Sequence, residues 1–490
     1  MDANSSSEKQ QSFAVVVLGD IGRSPRMQYH AISLQKQCNF QVSLVGYEGE
    51  KCIPAVESNN KIQIYTVKHF DGLLMLRKLL FPLYAALKVT ILLLRLLITL
   101  LWVIPRPRAI LVQNPPSIPS LAVVWFVCKL RQSHMIIDWH NLGYTVLGYS
   151  IGQKHPLVWL SKVYERFFGR LGSAHFCVTK AMSKWLKAEF GVEAMVLYDK
   201  PPSFFSRSPE RLEKDLFQRL LESNKTKSIQ PGTKFEELAR RPRGDPRRPL
   251  LLVSSTSWTP DEDFGVLLRA LAAADGRLGR PLVVCVTGKG PQKEMYERLI
   301  GGMVLKDVEI HTLWLEPEDY PLFLGACDLG VCLHKSTSGL DLPMKVLDMF
   351  GSGMPVCAVD FPCLDELVVH DQNGLIFENE AQLTLQLTLL VSDDAKLLRK
   401  MRENVKAEVR WEENWAAAAR PALARLLEEE GAASPLAARA LLCLLAAGGA
   451  AAAAAGALGA AAAAVRFLLS PLARKLRRRR RRNMAVPATS

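Results

Sequence analysis

The side chains able to do acid–base chemistry in this sequence gather at the ends of short apolar runs. One run leads into Asp138-Trp139-His140-Asn141, so a carboxylate, an imidazole and an amide stand together where an α/β fold places its sites. Asp138 or His140 suits the work of a general base, and either also suits a satisfied structural role. The first apolar run ends in Gly19-Asp20-Ile21-Gly22-Arg23-Ser24-Pro25-Arg26, which makes Asp20 a rival base. Ser24 is a good N-cap and Pro25 is favoured at the first helical position, so a helix opens here with Met27, Ala31 and Leu34 inward. Gly19 and Gly22 leave room for a ligand at the backbone N–H groups. Arg23 and Arg26 add positive charge, so an anion such as a diphosphate fits, although the spacing is not GxGxxG.

The second half repeats the arrangement with hydroxyls and lysines. Ser254-Ser255-Thr256-Ser257-Trp258-Thr259-Pro260-Asp261-Glu262 follows an apolar run. Thr259 and Glu262 fit a capping box and Pro260 a first helical position, so a helix opens behind a hydroxyl-rich turn. Thr287-Gly288-Lys289-Gly290 ends the next run, and Lys289 offers a mobile cation suited to phosphate. The densest stretch runs from His334 to Gly351. It has a loop of hydroxyls and Gly339, then a helix led by Pro343 whose N-terminus accepts phosphate beside Lys345. Asp348, a turn and a half along, is placed for ribose hydroxyls, and Asp341 for sugar hydroxyls. With Ser255 and Thr256, these residues favour a nucleotide diphosphate.

Such residues need rigid elements to hold them. The chain of 490 residues exceeds one hydrophobic core, and at 49% apolar and 22% charged it is globular. Its ten cysteines show no metal-ligand spacing and read as reduced thiols. Short apolar runs alternate with helix-like stretches, the pattern of parallel sheets joined by right-handed crossovers. Strands are expected near 13–19, 42–47, 62–67, 109–113, 135–139, 175–179 and 194–198, then near 250–254, 281–286, 307–312, 328–333 and 355–359. The resulting division is a polar N-terminus at 1–12, a Rossmann-like domain at 13–205, a linker or insert at 206–249, a second Rossmann-like domain at 250–390, closing helices at 391–430 and an atypical tail at 431–490. Two doubly wound α/β domains therefore face a cleft that the strand ends address.

Three stretches stand apart. Residues 82–105 are apolar except for Lys88 and Arg95. Tyr84, Lys88, Arg95 and Thr99 share one sector of a helix, which fits a helix lying on a membrane surface or a buried crossover helix with one polar stripe. Asn114-Pro115-Pro116-Ser117-Ile118-Pro119 forms a rigid loop. Residues 440–465 are uncharged and rich in Ala, and an Arg run follows. The net charge of +14 would suit a nucleic-acid binder, but ten cations and no acid lie in 431–490, which leaves +4 for the first 430 residues. No nucleic-acid partner is expected.

Gly-Asp-Ile-Gly-Arg-Ser-Pro-Arg-Met-Gln-Tyr-His at 19–30, Asp-Trp-His-Asn at 138–141, Tyr-Asp-Lys-Pro at 198–201, Ser-Ser-Thr-Ser-Trp-Thr at 254–259 and Gly-Leu-Asp-Leu-Pro-Met-Lys-Val at 339–346 resemble the chitobiosyldiphosphodolichol beta-mannosyltransferase family. The likeness runs from about residue 13 to about 415. It implies a GT-B glycosyltransferase that moves mannose from GDP-mannose, held by the second domain, to dolichyl-diphosphate chitobiose, held by the first. The implied reaction inverts the anomeric centre to a beta-1,4 linkage and serves the lipid-linked oligosaccharide of protein N-glycosylation. It also implies an endoplasmic reticulum membrane location with the catalytic domains on the cytosolic face, and assembly with other early-pathway mannosyltransferases. No tightly bound cofactor or metal is implied, with room for stimulation by a divalent cation. Related retaining enzymes carry two glutamates eight positions apart. With Asp348 on the second, the first falls on Leu340 and not on Asp341. The family normally opens with a hydrophobic anchor and ends soon after the position of Trp415, whereas Met1 to Ser12 is polar here and the chain runs on.

Overall fold

The computed structural model describes residues 11–68, 81–222, 232–259, 262–392, 394–406 and 409–428. The expectations for the Ala-rich and Arg-rich tail, for most of the polar N-terminus, for Pro260 and for the Tyr84 and Lys88 side chains lie outside the described residues. Seven parallel strands make the first sheet: β1 (Ser12–Asp20), β2 (Gln41–Tyr47), β3 (Ile62–Val67), β4 (Ala109–Asn114), β5 (His134–Trp139), β6 (Ala174–Cys177) and β7 (Met195–Val196), in the order β3-β2-β1-β4-β5-β6-β7. Six more make the second: β8 (Leu250–Ser255), β9 (Leu282–Thr287), β10 (Val308–Leu313), β11 (Leu329–Cys332), β12 (Val356–Val359) and β13 (Gly374–Phe377), in the order β10-β9-β8-β11-β12-β13. Twelve lie within two residues of the expected runs, and the short β13 is the addition. In both sheets the winding reverses beside the first strand, between β1 and β4 and between β8 and β11. Doubly wound sheets open a binding crevice at such reversals.

The strands read as continuous apolar runs because helices cover both of their faces. On one face of the first sheet lie α1 (Pro25–Cys38) and two helices from the far end of the chain, α11 (Trp411–Ala417) and α12 (Ala419–Glu428). Met27, Ala31 and Leu34 of α1 are fully buried there with Phe13, Val15 and Trp415. On the other face lie α2 (Phe81–Ile98), α3 (Ser120–Arg131), α4 (Gly143–Ile151), α5 (Pro156–Gly169) and α6 (Lys180–Trp185). Leu96, Leu100 and Ile104 of α2 and the turn after it pack there against Val112 and Val124. The 82–105 stretch is thus a crossover helix on its inner edge. Among the described residues no helix is long and apolar enough to cross a membrane.

Residues 206–249 are not bare linker. They form α7 (Glu210–Glu222) and α8 (Lys234–Arg240), which send Leu216, Phe217, Phe235 and Leu238 into the core of the second sheet. The capping-box expectation at Thr259 and Glu262 also changes, because the helix opens later, as α9 (Gly265–Ala274). Glu262 turns back to accept from the Thr256 hydroxyl at 2.5 Å and the Ser257 N–H at 2.8 Å. The remaining helix needed below is α10 (Met344–Gly351).

One glycine fixes how the loops after β8 and β9 meet. Gly288 has φ 135°, and a Cβ there would overlap the Thr256 carbonyl. Gly288→Ala is therefore expected to lower stability, measured by thermal unfolding, whereas Gly301→Ala, where a Cβ meets open space, is expected to leave stability within about 0.5 kcal/mol of wild type.

Candidate active site

The centre of the site is a carboxylate with no access to water. Asp138, at the end of β5, is 0% exposed. Arg26, one residue into α1, grips it with Nε at 2.8 Å and Nη2 at 2.9 Å. His30, one turn further along, reaches it with Nε2 at 3.1 Å, and His140 with Nε2 at 2.8 Å. Burial opposes ionisation of Asp138, but the guanidinium and the two imidazoles outweigh it and hold the carboxyl well below the usual range. Three of these contacts fall on Oδ2 and one on Oδ1, and the carboxylate is held as an anion away from water. Asp138 therefore does not fit the expectation that it takes a proton from a substrate.

His140 is placed differently. Its Nε2 is tied to Asp138, its side chain is 22% exposed, and it lines the cleft between the sheets. With Nε2–H donating to the carboxylate, Nδ1 carries the free lone pair, the arrangement in which a buried carboxylate orients a basic imidazole. The tautomer of His30 is fixed from outside the first domain's own sequence. Trp415 of α11 donates its indole N–H to His30 Nδ1 at 3.1 Å, so His30 Nε2–H points at Asp138. Burial then lowers the His30 pKa and keeps the ring neutral. The indole ring of Trp411 lies 5.4 Å from the Arg26 guanidinium carbon, and its N–H reaches Ser33 at 3.0 Å.

The expected diphosphate site at the first strand end is rebuilt by these contacts. Arg26 is 3% exposed, and its remaining bonds go to Asp199 at 2.8 Å and the Leu197 carbonyl at 2.9 Å, so its charge is neutralised within the protein. Asp20 holds a turn, accepting from Gly22 N–H at 2.9 Å and from Glu50 N–H at 3.0 Å. A Cβ on Gly22 would overlap the Glu50 carbonyl, so this glycine admits a neighbouring loop, not a ligand. Gly19 meets nothing closer than 3.6 Å. Arg23 stays outside, with 73% of its side chain exposed.

The cleft, about 200 Å³, is lined by Arg23, Arg26 and His140 from the first sheet's side and by Asp341, Leu342 and Met344 from the second's. Its loop is braced across the gap. Asp341 accepts from Asn141 Nδ2 at 3.0 Å and from Ser338 at 3.1 Å, and Gly339, at φ 71°, donates its N–H to Ser336 at 2.9 Å. A second clasp was not legible in the sequence. Glu366 accepts from the N–H groups of Lys180 and Ala181, which open α6, and from the Tyr198 hydroxyl, each at 2.7 Å.

The other donor-side residues stand at the ends of β8 and β9 and on α10, outside that lining. Ser255 lies 3.3 Å from the Tyr320 hydroxyl and accepts from Thr287 at 3.1 Å, while buried Thr256 pins the turn through Glu262 and the Trp258 N–H. Lys289 is exposed and sits 3.5 Å over the Trp314 ring. Lys345 is ion-paired with Glu262, and His334 approaches the same oxygen at 3.5 Å. Burial penalises the Glu262 charge, but His334, Lys345 and Thr256 bring its pKa down to about 2. Asp348 shows the opposite balance: burial pushes it up to about 8, with the Tyr320 hydroxyl opposing. Burial thus favours its neutral, carboxylic-acid form.

The proline loop serves the same site. Asn114 accepts the His140 backbone N–H at 2.9 Å and donates to the buried Glu165 at 2.6 Å. Glu165 in turn accepts from the N–H groups of Gly143 and Tyr144 that open α4, at 2.8 and 3.1 Å. The sequence placed Asn114 in a rigid loop without showing its role and gave no sign of Glu165, because their partners lie far along the chain.

Two outcomes follow. Asp138→Asn leaves the Arg26 charge underpaired in the interior and is expected to cost about 3–5 kcal/mol of stability, read as a large fall in unfolding temperature. For Asp348 the folded pKa lies above the unfolded one, so the protein binds its proton more tightly than the unfolded chain, and stability is lost as pH rises from about 4 towards 8. Asp348→Asn removes that dependence, and the melting-temperature gap between variant and wild type is expected to widen in the variant's favour from pH 5 to about pH 8.

Residues 235–408 match the model for glycosyl transferases group 1. Among solved structures, Anabaena Alr3699/HepE in complex with UDP-glucose aligns with a TM-score of 0.58 at 14% identity, covering 84% of this chain and 99% of that one. Sucrose-phosphate synthase from Thermosynechococcus elongatus aligns with a TM-score of 0.58 at 12% identity, covering 86% and 99%. At such identities the likeness concerns the fold, which is GT-B. The human chitobiosyldiphosphodolichol beta-mannosyltransferase is 45% identical over 427 residues, 83% of this chain and 91% of the relative. Its namesake in Dictyostelium discoideum is 37% identical over 82% and 92%, and a protein of Arabidopsis thaliana called UDP-glycosyltransferase TURAN is 40% identical over 85% and 97%. At these identities and coverages the chain belongs to the chitobiosyldiphosphodolichol beta-mannosyltransferase family and is a mannosyltransferase enzyme of the GT-B fold.

Proposed function

We propose that the chain transfers mannose from GDP-mannose to the chitobiose of a dolichyl-diphosphate acceptor, with inversion to a beta-1,4 linkage, at the cytosolic face of the endoplasmic reticulum membrane. The names of the relatives support the acceptor. The observation that carries the mechanism is His140, held by Asp138 at 2.8 Å at the edge of a cleft whose far wall includes Met344, the first residue of α10. In this reading His140 Nδ1 takes the proton of the acceptor hydroxyl as its oxygen attacks the anomeric carbon. The bond from that carbon to the donor phosphate breaks with its electron pair, and GDP leaves. Asp138 stays ionised and stabilises the imidazolium, while the N-terminus of α10, Lys289 and Lys345 meet the charge on the departing diphosphate.

The same reading includes assembly with other early-pathway mannosyltransferases and no tightly bound metal, so turnover is expected to persist in EDTA while added divalent cation at most stimulates it. The Arabidopsis relative's name favours a second donor, a UDP-sugar. Donor competition separates the two: release of GDP from GDP-mannose that requires the chitobiose lipid supports the first, and turnover with a UDP-sugar alone supports the second. His140→Ala is expected to lower kcat by about 10²–10⁴ with little change in unfolding temperature. Near-normal turnover of this variant would remove His140 from the mechanism.

A further inference from the structure

The exposed large apolar side chains are not spread evenly. Of twenty-five among the described residues, thirteen stand on α2 and the turn after it, on α4 and on α5. All three helices cover the same face of the first sheet, because right-handed crossovers from β3 to β4, β4 to β5 and β5 to β6 advance in one direction. Helix α5 has its polarity reversed for a helix facing water. Val158, Ser161, Glu165 and Gly169 point inward and are buried, whereas Trp159 at 68% exposure, Leu160 at 52% and Phe167 at 60% point outward. Ile98 and Trp102 continue the surface at the end of α2, at 51% and 68% exposure, and Tyr149 on α4 at 60%.

Charge on this part of the chain is equally one-sided. From residue 72 to residue 164 there are ten Lys and Arg and a single acid. That acid is Asp138, which is buried and neutralised by Arg26. Lys154 and Arg166 are exposed beside the outward stripe of α5. Apolar and aromatic side chains flanked by the exposed Lys154 and Arg166, with Glu165 of α5 buried and Glu189 paired with Lys162 at 3.3 Å, match a bilayer interface with anionic headgroups. A protein partner of ordinary mixed charge is a poorer match. The surface also joins the cleft, since α4 opens three residues after His140. We propose that the outer surface of α2, α4 and α5 is the face by which this protein rests on an anionic lipid bilayer, the cleft opening at the membrane so that a lipid-borne acceptor enters without leaving it. This rests on the reading of the acceptor as a dolichyl diphosphate, and it adds which face meets the lipid.

The experiment is co-sedimentation of the full chain with vesicles of phosphatidylcholine, with and without phosphatidylserine. The expected result is a fall of at least about tenfold in partitioning for Trp159→Ser/Phe167→Ser on both kinds of vesicle. Trp102→Ser/Tyr149→Ser provides a second, independent pair on the neighbouring helices. For Lys154→Glu/Arg166→Glu the fall is expected on the phosphatidylserine vesicles alone. Wild-type partitioning by both apolar pairs would overturn the proposal. So would a wild-type dimer in the absence of lipid that these pairs dissociate, because the face would then meet a second copy. Turnover is read in parallel on a water-soluble chitobiosyl diphosphate and on vesicle-borne acceptor. The apolar pairs are expected to keep the first and lose the second at least about tenfold, whereas absence of turnover on both acceptors in wild type would remove the acceptor reading and leave the partitioning result standing.

Discussion

The fork between Arg26 and Asp138 is the interaction on which the rest of the site depends. Neither group reaches water, and a buried charge persists only when its partner is held in good geometry and the remaining polar atoms are satisfied. The surroundings meet that demand from five separate stretches of chain: α1 supplies Arg26 and His30, β5 supplies Asp138, the stretch after β7 supplies Asp199, the turn after β5 supplies His140, and α11 supplies the two indoles. Each contact satisfies one atom and fixes one element. The pair contributes little net stability by itself, yet removing either partner leaves an unpaired charge inside the core, so the pair sets the geometry more than it adds strength. His140 inherits that rigidity, since its orientation is set by a carboxylate that cannot move.

Across the cleft the second sheet uses a different electrostatic scheme. Glu262 is a fully engaged anion that pins Lys345 and the hydroxyl turn, whereas Asp348, a few residues along α10, is kept neutral by burial. Two acids on one wall of the molecule are driven to opposite protonation states by their surroundings. Polar contacts between the domains include Asp341 with Asn141, Glu366 with the opening of α6, and Thr179, whose hydroxyl donates to the Leu340 carbonyl at 2.6 Å, while Leu340 packs against the first sheet's core and Tyr198 against the second's.

Strand positions were legible because buried parallel strands leave continuous runs of Val, Ile and Leu, and the catalytic neighbourhoods were legible because such folds place chemistry where those runs end. What the sequence hid were partners brought together by the fold. Arg26 reads as a free cation beside a glycine turn, yet its counter-charges are 112 and 173 residues away. Glu262 has the spacing of a capping box, but Lys345 and the Thr256 hydroxyl outcompete the helix end. Glu366, Asn114 and Glu165 act on backbone N–H and C=O groups, which carry no sequence signature. Strand β13 was missed because it opens on Gly374, which leaves only Leu375, Ile376 and Phe377 as an apolar run between polar residues. The segment 206–249 looked bare because its apolar residues are few, but Leu216, Phe217 and Leu220 fall on one side of a helix, and that suffices against a ready core.

The placement of α11 and α12 has a consequence for how the chain is made. They pack on the same face of the first sheet as α1, with Trp411, Trp415 and Leu423 among the side chains that close its core. During vectorial synthesis the amino-terminal domain is therefore complete in sequence long before it is complete in space. Its lower face stays uncovered, and His30 lacks its indole partner, until residues beyond 428 are being added. A nascent chain of this protein thus carries an open apolar surface on the first sheet until α11 and α12 emerge.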